Sequence, residues 1–575
     1  MHRRFRYVFC QLARIRHCPP EDIPCALNDL PDTLDETYAR TLEDIGDLSW
    51  KRAHRLFQCV SVAARPLHVE ELVDILAFDF EGESTPASLA KRRSEDPIHT
   101  VLSTCSSLLD VVNVDGSPVV QFVHFSVKEY LTSERLVKAK DIISRFHIFM
   151  APAHTIMAQA CLGVLLHLDE SVTNDCLEDF PLAKYAAKYL VDHARFEYVS
   201  SKVQDGMKHL FDPRKSHFSV WVRIYDPEHP QSLSQLPERP SAATATPLHY
   251  AAFCGLHDVS TFLIVECSQD VNAQAFDKRE TPLHVALRRR HMDIAQLLLK
   301  HGADPDARFY GKYTLLHQAS NEGDVELAQF LLKHGADKDA QNERGQSPLI
   351  LASRMRCMEI VRDLLKHGAD MEARDMGGWT PLIHASTIGD TEIARLLLKQ
   401  GANVKEQYRC RYTPLHYASS RGRLAVTQLL LEHGADVNAR NAHNQTPLHE
   451  AKGKEVTRLL IEHGADANAL DTQNRTPLHQ ASEDGITEVA GVLLERGVDA
   501  NARDADKVTP LGLAASGPWY REEVHLHLVR LLLRYGSDIH ARDDKGQTPF
   551  MRAKANGLRD IMQLLLEHGA EDHRI

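Results

Sequence analysis

A six-residue pattern, Thr-Pro-Leu-His-x-Ala, recurs ten times in the C-terminal part of this chain, mostly at a spacing of 33 residues. Its first positions are Thr246, Thr281, Thr314, Ser347, Thr380, Thr413, Thr446, Thr476, Thr509 and Thr548. A period of this length is typical of stacked helix pairs, in which each unit buries its apolar face only against its neighbours. The repeats therefore predict an α-solenoid, which offers a binding surface rather than an active site.

Each position of the repeat has a structural purpose, as the unit that begins at Thr446 illustrates. Its threonine can cap a helix, Pro447 suits the first helical position, and His449 can hydrogen-bond locally and brace the cap. The second helix of a unit ends at a His-Gly-Ala-Asp sequence, where a glycine such as Gly434 supplies the left-handed residue.

This pattern resembles the ankyrin repeat at nearly every position from about Ala242 to Asp572, which implies an array of ten protein-binding repeats. Four units depart from it, among them the last repeat, which reads Thr548-Pro549-Phe550-Met551. The first repeat reads Val265-Glu266-Cys267-Ser268 where the others have the helix stop. Three residues are missing near Lys452-Gly453-Lys454, which predicts a shorter turn between the two helices of that repeat. Six residues are added near Gly517-Pro518-Trp519-Tyr520.

The 33-residue period is not found before about residue 240, where the apolar pattern predicts a different domain. The predicted elements are helices over Trp50–Ala63, His68–Phe78 and Ile98–Leu109, β-strands over Leu108–Val114 and Val119–Val123, and a short helix over Phe125–Leu131. The Asp-Gly pair between the two strands is a strong hairpin signal. Three helices followed by a hairpin is the order of a winged-helix domain.

Four blocks in this region, spanning about Phe5 to Arg195, resemble the winged-helix and helical segments of large fungal NACHT-type (STAND) proteins. The blocks are residues 30–38, 65–72, 123–131 and 181–186. The family carries a phosphate-binding loop upstream, and the sequence contains no G-x-x-x-x-G-K-[ST] motif. The chain is therefore expected to be a truncated copy, a product of a misassigned gene start, or a stand-alone adaptor. An in-frame phosphate-binding loop upstream of Met1 would distinguish these alternatives.

Together, these patterns predict a mainly α fold with an N-terminal winged-helix-like α+β domain, a helical linker and an ankyrin-repeat α-solenoid of ten repeats. The predicted domains are a helical remnant resembling the end of a NACHT module (1–30), the winged-helix-like domain (31–140), a helical segment with a Pro/Ser-rich linker (141–240) and the ankyrin repeats (241–575). The stretch from Asp226 to Ser241 is expected to be exposed, and the repeats to fold separately from residues 1–240.

Composition restricts the partners. The chain has 67 Lys and Arg residues against 79 Asp and Glu residues, and this net charge of −12 argues against nucleic acid. The predicted third helix contains no Lys or Arg, and only Lys91-Arg92-Arg93 lies near it. Eleven cysteines without a Cys-x-x-Cys pair indicate reduced thiols, and no apolar run approaches the ~20 residues of a membrane span. We expect a cytoplasmic protein, with the nucleus as an alternative.

The 33 histidines do not predict a metal site, because twelve of them recur at fixed positions of the repeat. No catalytic, cofactor-binding or metal-binding residue is predicted, and neither is an enzymatic activity. The predicted function is a protein-interaction scaffold or adaptor with a regulatory winged-helix module. The alternatives are a fragment of a nucleotide-switched NACHT/STAND protein of self/non-self recognition, and a winged-helix DNA-binding regulator.

The turns between repeats provide the candidate site. A polar residue, expected to bond the turn's own backbone, usually lies five positions before the motif: Asn342, Asp375, Asn441, Asp471, Asp504 and Asp543. Three turns carry an aromatic residue instead, and the predicted basic-aromatic patch consists of Phe276, Arg279, Phe309, Tyr310, Tyr408, Arg409 and Arg411. Such a patch would suit an acidic protein segment. The competing interpretation is that each ring packs on the adjacent turn.

Overall fold

The computed structural model describes residues 33–571, apart from residues 48, 79, 81–95, 106–107, 115, 140–141, 229–244 and 276–277. The predicted remnant over residues 1–30, the basic sequence 91–93 and most of the predicted linker lie outside the described residues. By contact density the chain divides into two units, residues 1–304 and 305–575, so that the first unit includes the first two repeats.

The first unit begins with a small α+β domain. Its elements are α1 (Leu34–Glu43), α2 (Trp50–Val62), β1 (Leu67–His68), α3 (Val69–Ala77), α4 (Pro97–Cys105), β2 (Leu109–Val114), β3 (Ser117–Phe122), α5 (Phe125–Leu131) and α6 (Glu134–Lys138). Strands β2 and β3 form the predicted antiparallel hairpin, and β1 adds to its other edge, with Leu67 opposite Val120. The winged-helix order is confirmed, whereas the two-residue strand β1 is too short to give a sequence signal.

The four sequence blocks that resemble NACHT-type proteins meet in pairs. From the first and third blocks, the hydroxyl groups of Tyr38 and Ser126 are 2.8 Å apart. From the second block, the guanidinium of Arg65 lies 5.1 Å from the ring centre of Tyr185, which belongs to the fourth. The same guanidinium donates to Glu71 at 2.8 Å. The fourth block therefore joins the winged-helix domain to the helices that follow it.

Those helices form a second layer of the first unit. They are a short 3-10 helix (Ile142–Phe146), α7 (Met150–Leu165), α8 (Asn174–Glu178), α9 (Leu182–Ala194), α10 (Ser200–Phe211) and α11 (His217–Ile224). Helices α7 and α9 pack against each other through small and apolar residues, including Ala153, Met157, Ala186 and Leu190, all fully buried.

The first two repeats of the unit consist of α12 (Pro247–Cys254), α13 (His257–Val265), α14 (Pro282–Arg288) and α15 (Met292–Lys300). In the first repeat Ser268, with φ 51°, takes a left-handed conformation close to where the other repeats have their helix-stop glycine. Helix α10 packs on α13, and the rings of Phe218 and Trp221 lie 5.4 and 6.0 Å from the ring of Tyr250. The helical segment thus covers the open end of the first repeat.

The start of the predicted linker is part of this contact. The hydroxyl of Tyr250 donates to Asp226 at 3.0 Å, and Arg288 forms an ion pair with Glu228 at 2.7 Å. Residues 226–228 are therefore half-buried rather than exposed as expected, because two repeats bind their carboxylates.

The second unit contains the other eight repeats. Its helices are α16 (Leu315–Glu322), α17 (Val325–Lys333), α18 (Pro348–Arg354), α19 (Met358–Lys366), α20 (Pro381–Ile388), α21 (Thr391–Lys399), α22 (Pro414–Ser420), α23 (Leu424–Glu432), α24 (Lys454–Glu462), α25 (Pro477–Asp484), α26 (Thr487–Glu495), α27 (Pro510–Ala514), α28 (Glu522–Arg534), α29 (Pro549–Ala555) and α30 (Arg559–Glu567). In each repeat the first helix of the pair is called inner and the second outer.

The motif histidine connects neighbouring repeats. In the sixth repeat His416 accepts the N–H of Thr413 through Nδ1 at 3.2 Å, so its Nε2–H donates to the carbonyl of Gln445 at 3.1 Å. Burial lowers the pKa of His416 to about 4, so the ring is neutral at pH 7. The corresponding bonds are made by His249, His317, His449 and His479. The structural interpretation is confirmed for these histidines.

Two irregular repeats differ from their neighbours in length. In the seventh repeat the missing residues remove the inner helix rather than shorten the turn after it. Residues 447–450 form only a turn, and Gly453, with φ 95°, leads into α24. In the ninth repeat the added residues form a 3-10 turn (Trp519–Arg521) and extend the outer helix α28 to 13 residues, against nine in α26.

Candidate protein-interaction site

Six turns between repeats are closed by the polar side chain that opens them, as predicted. In the fourth repeat Asn342 Oδ1 accepts the N–H groups of Arg344 and Gln346 at 2.9 and 3.0 Å. In the other five turns the side-chain oxygen of the residue at the same position accepts a turn N–H group. These residues are Asp375, Asn441, Asp471, Asp504 and Asp543. The side chain therefore determines the form of the turn.

The turns of the third and sixth repeats have a different form, because Phe309 and Tyr408 cannot accept these bonds. Each contains a short 3-10 helix, Tyr310–Lys312 or Arg409–Arg411, closed by an antiparallel bridge. In the sixth repeat two consecutive residues other than glycine, Cys410 and Arg411, have φ values of 55° and 61°. Such conformations cost on the order of 1–3 kcal/mol each and cluster at functional sites.

The predicted patch divides into exposed and packed residues. Tyr310 is 81% exposed, and Arg279 and Arg411 are also exposed. Phe309 and Tyr408 are half-buried: the first ring lies 6.4 Å from Tyr313 of its own turn. Phe276 and the side chain of Arg409 lie outside the described residues.

The ring of Tyr408 packs on the turn of the fifth repeat. It lies 6.2 Å from the ring of Trp379 and covers Gly378, whose missing Cβ would be 2.5 Å from it. The ring of Trp379 is also 4.9 Å from that of Tyr417, which is 5.4 Å from that of Tyr412. We call these four half-buried residues, Trp379, Tyr408, Tyr412 and Tyr417, the aromatic cluster.

Sequence reasoning found only Tyr408 among the four. The other three become visible in the sequence when the repeats are aligned so that equivalent positions form columns. Trp379 and Tyr412 immediately precede the motif in consecutive repeats, and Tyr417 is the residue after the motif histidine. Neighbouring repeats bring these columns side by side.

The polar groups around the cluster are neutral phenols and bound carboxylates. The hydroxyl of Tyr412 donates to Glu450 at 2.8 Å. Burial raises the pKa of Tyr417 to about 12, and it also raises that of Tyr412. Asp375 accepts the N–H of Trp379 at 2.8 Å and lies 3.1 Å from His384 Nε2. Both carboxylates are therefore held by groups of the array.

Two exposed cations lie at the other end of the inner helix α22. Arg421 follows Tyr417 by one turn of the helix, and its backbone N–H donates to the Tyr417 carbonyl at 3.2 Å. Lys452 is placed beside it because its N–H donates to the carbonyl of Ser419 at 3.0 Å. The short seventh repeat leaves this lysine exposed.

Neither a metal centre nor a membrane span emerges from the described part of the chain. No group of three or more His, Cys, Asp or Glu residues is arranged there for a metal ion. No described helix is long and apolar enough to cross a bilayer. A cavity of about 210 Å³ lies between α10 and the first repeat, lined by Val203, Met207, Leu256 and Val259 with Arg195 and His257.

The described fold and the family comparison agree. Ankyrin repeats match residues 226–309, 310–375, 372–441, 440–504 and 497–574, more than half of the chain. This chain belongs to the ankyrin-repeat family. Residues 44–146 match the winged helix domain of GPI inositol-deacylase, a type also found in NACHT-type proteins, so both parts of the predicted architecture are present.

Similar proteins cover parts of the chain. It is 32% identical over 298 residues to azaphilone pigments biosynthesis cluster protein L of Monascus ruber. This match covers 48% of this chain and 61% of that protein. It is 45% identical over 47 residues to human protein phosphatase 1 regulatory subunit 27, 8% of this chain and 30% of that one. The chain thus spans 61% and 30% of the lengths of these two relatives.

Among solved structures, the ankyrin repeat domain of Bcl-3, a member of the IkappaB protein family, is 33% identical to this chain. The match covers 38% of this chain and 98% of that domain, with a TM-score of 0.36.

Proposed function

We propose that this chain is a non-enzymatic scaffold or adaptor whose ankyrin array binds a protein partner and whose winged-helix domain regulates that binding. The observation that carries the proposal is the ankyrin array itself, which extends over more than half of the chain and uses its motif histidines to join repeats. Solenoid repeats present extended surfaces, and the fold is typically a binding module.

The proposed binding surface includes the exposed turn residues Arg279, Tyr310 and Arg411, together with Phe276, Phe309, Tyr408 and Arg409. Aromatic and Arg side chains are enriched among the residues that dominate binding energies. We place the protein in the cytoplasm, with the nucleus as the alternative, and propose neither nucleic acid nor membrane as its partner.

A fragment of a nucleotide-switched NACHT/STAND protein is the second candidate. The match of residues 44–146 to a winged-helix domain of the kind found in NACHT-type proteins favours it. DNA binding by the winged helix has less support, because α4 (Pro97–Cys105) carries no Lys or Arg to contact phosphates.

Site-specific photo-crosslinking in the native cell tests the scaffold function. A benzophenone amino acid replaces Tyr310 on a turn, Tyr417 on an inner helix or, as a control, Arg362, which is exposed on the outer helix α19. We expect saturable adducts with one protein from the first two positions and none from the control. If neither Tyr310 nor Tyr417 forms a specific adduct, the array is not the partner-binding surface.

A further inference from the structure

The aromatic cluster is a contact surface that the fold leaves incompletely covered. Its rings lie 4.9 to 6.2 Å apart from one repeat to the next, yet all four residues remain half-buried rather than buried. Beside them Met376 is 71% exposed. Clustered exposed apolar surface marks interaction sites, whereas single exposed apolar residues are ordinary.

The backbone around the cluster is shaped to hold these rings. Gly378 has φ 78° and no Cβ, and both properties are needed where the Tyr408 ring lies on the turn. In the turn of the sixth repeat, the left-handed residues Cys410 and Arg411 immediately precede Tyr412, whose ring lies 5.4 Å from that of Tyr417. Left-handed conformations of such residues persist where the surrounding structure fixes them.

The exposed charges at the end of α22 are cationic. Arg421 and Lys452 are exposed, and neither forms an ion pair within the described part of the chain. The nearby carboxylates of Asp375 and Glu450 are half-buried and accept hydrogen bonds from His384 and Tyr412, which do not cancel their charge. A partner therefore meets the exposed cations Arg421 and Lys452 next to the apolar rings, a combination that favours an acidic segment.

We propose that an acidic peptide segment of the partner binds to the aromatic cluster, an inference that rests on the proposed function. An apolar or aromatic side chain of that segment packs on Trp379 and Tyr417, while its carboxylates face Arg421 and Lys452. Tyr417 and Arg421 are four residues apart on one helix, about 6 Å along its axis. An extended peptide rises ~3.3 Å per residue, so an acidic residue belongs two positions from the apolar anchor.

The test measures fluorescence anisotropy of labelled peptides with the purified full-length chain. The probe is Glu-Glu-Glu-Glu-Phe-Glu-Glu-Glu, which places Glu two positions from the Phe anchor on both sides, and the control probe has Lys at every Glu position. We expect micromolar binding of the acidic probe, weakened by salt, and no binding of the basic one. Trp379→Ala should weaken binding about tenfold or more.

A charge-reversal variant keeps the test independent of folding. Arg421→Glu combined with Lys452→Glu changes exposed side chains only, so the melting temperature should hold while affinity falls about tenfold or more. Arg362→Glu makes the same type of charge change on an outer helix and should alter affinity by less than about twofold.

Three results would overturn the inference: no binding of the acidic probe, equal binding by the charge-reversal variant, or tighter binding of the basic probe. These results differ from a failure of the scaffold function. If photo-adducts form at Tyr310 or Tyr417 while the acidic probe fails, the array binds a partner of other chemistry. If adducts and probe binding are both absent, the scaffold function fails as well.

Discussion

Replacing Trp221 with alanine should unfold more than the helix that carries it. The Trp221 side chain is 1% exposed and donates from Nε1 to the carbonyl of Ala187 at 2.8 Å. Its ring lies 5.2 Å from Phe211 and 6.0 Å from Tyr250 of the first repeat. One side chain thus connects α9, α10 and the ankyrin repeats.

The expected cost follows from these contacts. Truncating a buried Trp to alanine destabilises a protein by about 3–5 kcal/mol, and loss of the hydrogen bond to the Ala187 carbonyl adds about 1 kcal/mol. Each 1.4 kcal/mol is tenfold in an equilibrium constant. Exchange of the amides that open with this interface should therefore accelerate by at least about two orders of magnitude.

Hydrogen–deuterium exchange with peptide resolution measures the effect. In Trp221→Ala, we expect faster exchange in residues 200–224 and also in the first repeat, residues 247–265. Phe550→Ala is the matched control, since Phe550 is 2% exposed in the last repeat, and it should leave both segments unchanged. Unaltered exchange in residues 247–265 of Trp221→Ala would show that the first repeat does not depend on this contact and would support an independent array that begins near residue 240.

Three further predictions concern the repeats. Thr427→Val should stabilise the chain by about 1 kcal/mol in urea unfolding, because the buried Thr427 hydroxyl has no partner among the described residues. Thr457→Val should destabilise the chain, because the Thr457 hydroxyl loses a bond of 3.0 Å to a backbone carbonyl. Equal effects of the two substitutions on the free energy of unfolding would exclude this explanation. The pKa of His416 is lowered from 6.5 in the unfolded chain to about 4 in the folded chain, so unfolding takes up a proton between pH 6.5 and pH 4. The neutral, buried His416 therefore contributes up to about 3 kcal/mol to stability above pH 6.5, and this contribution is lost as the pH falls toward 4. In urea titrations, His416→Ile should reduce the difference between the free energies of unfolding at pH 7 and pH 5. An unchanged difference would assign the pH dependence to other groups. The seventh repeat, residues 446–464, should exchange faster than residues 380–434, since it lacks an inner helix; uniform protection would contradict this.

Much of the fold follows from local sequence. The helix caps, the motif histidines and the turn-opening Asn and Asp residues act within one repeat or on its neighbour, so a pattern of fixed period reveals them. Asn342 illustrates this, because its bonds reach only two and four residues ahead. The β2–β3 hairpin was equally predictable from its alternating residues and the turn between them.

Contacts between distant segments could not be predicted. The contact between Trp221 and Tyr250 joins segments of unlike pattern, and no period relates the two residues. The aromatic cluster is an intermediate case, since Trp379 and Tyr417 belong to columns that become visible only when repeats are aligned. The loss of the seventh inner helix depends on how Lys452 and Gly453 rejoin the stack, which the length of the gap alone does not determine.

Binding of the partner by the ankyrin array is tested by a hydrogen–deuterium exchange footprint of the full chain with and without a saturating amount of the photo-crosslinked protein. We expect protection in residues 375–388 and 408–420, which carry the aromatic cluster, and no change in the winged-helix residues 34–146. Protection confined to residues 34–146, with the repeats unchanged, would contradict it.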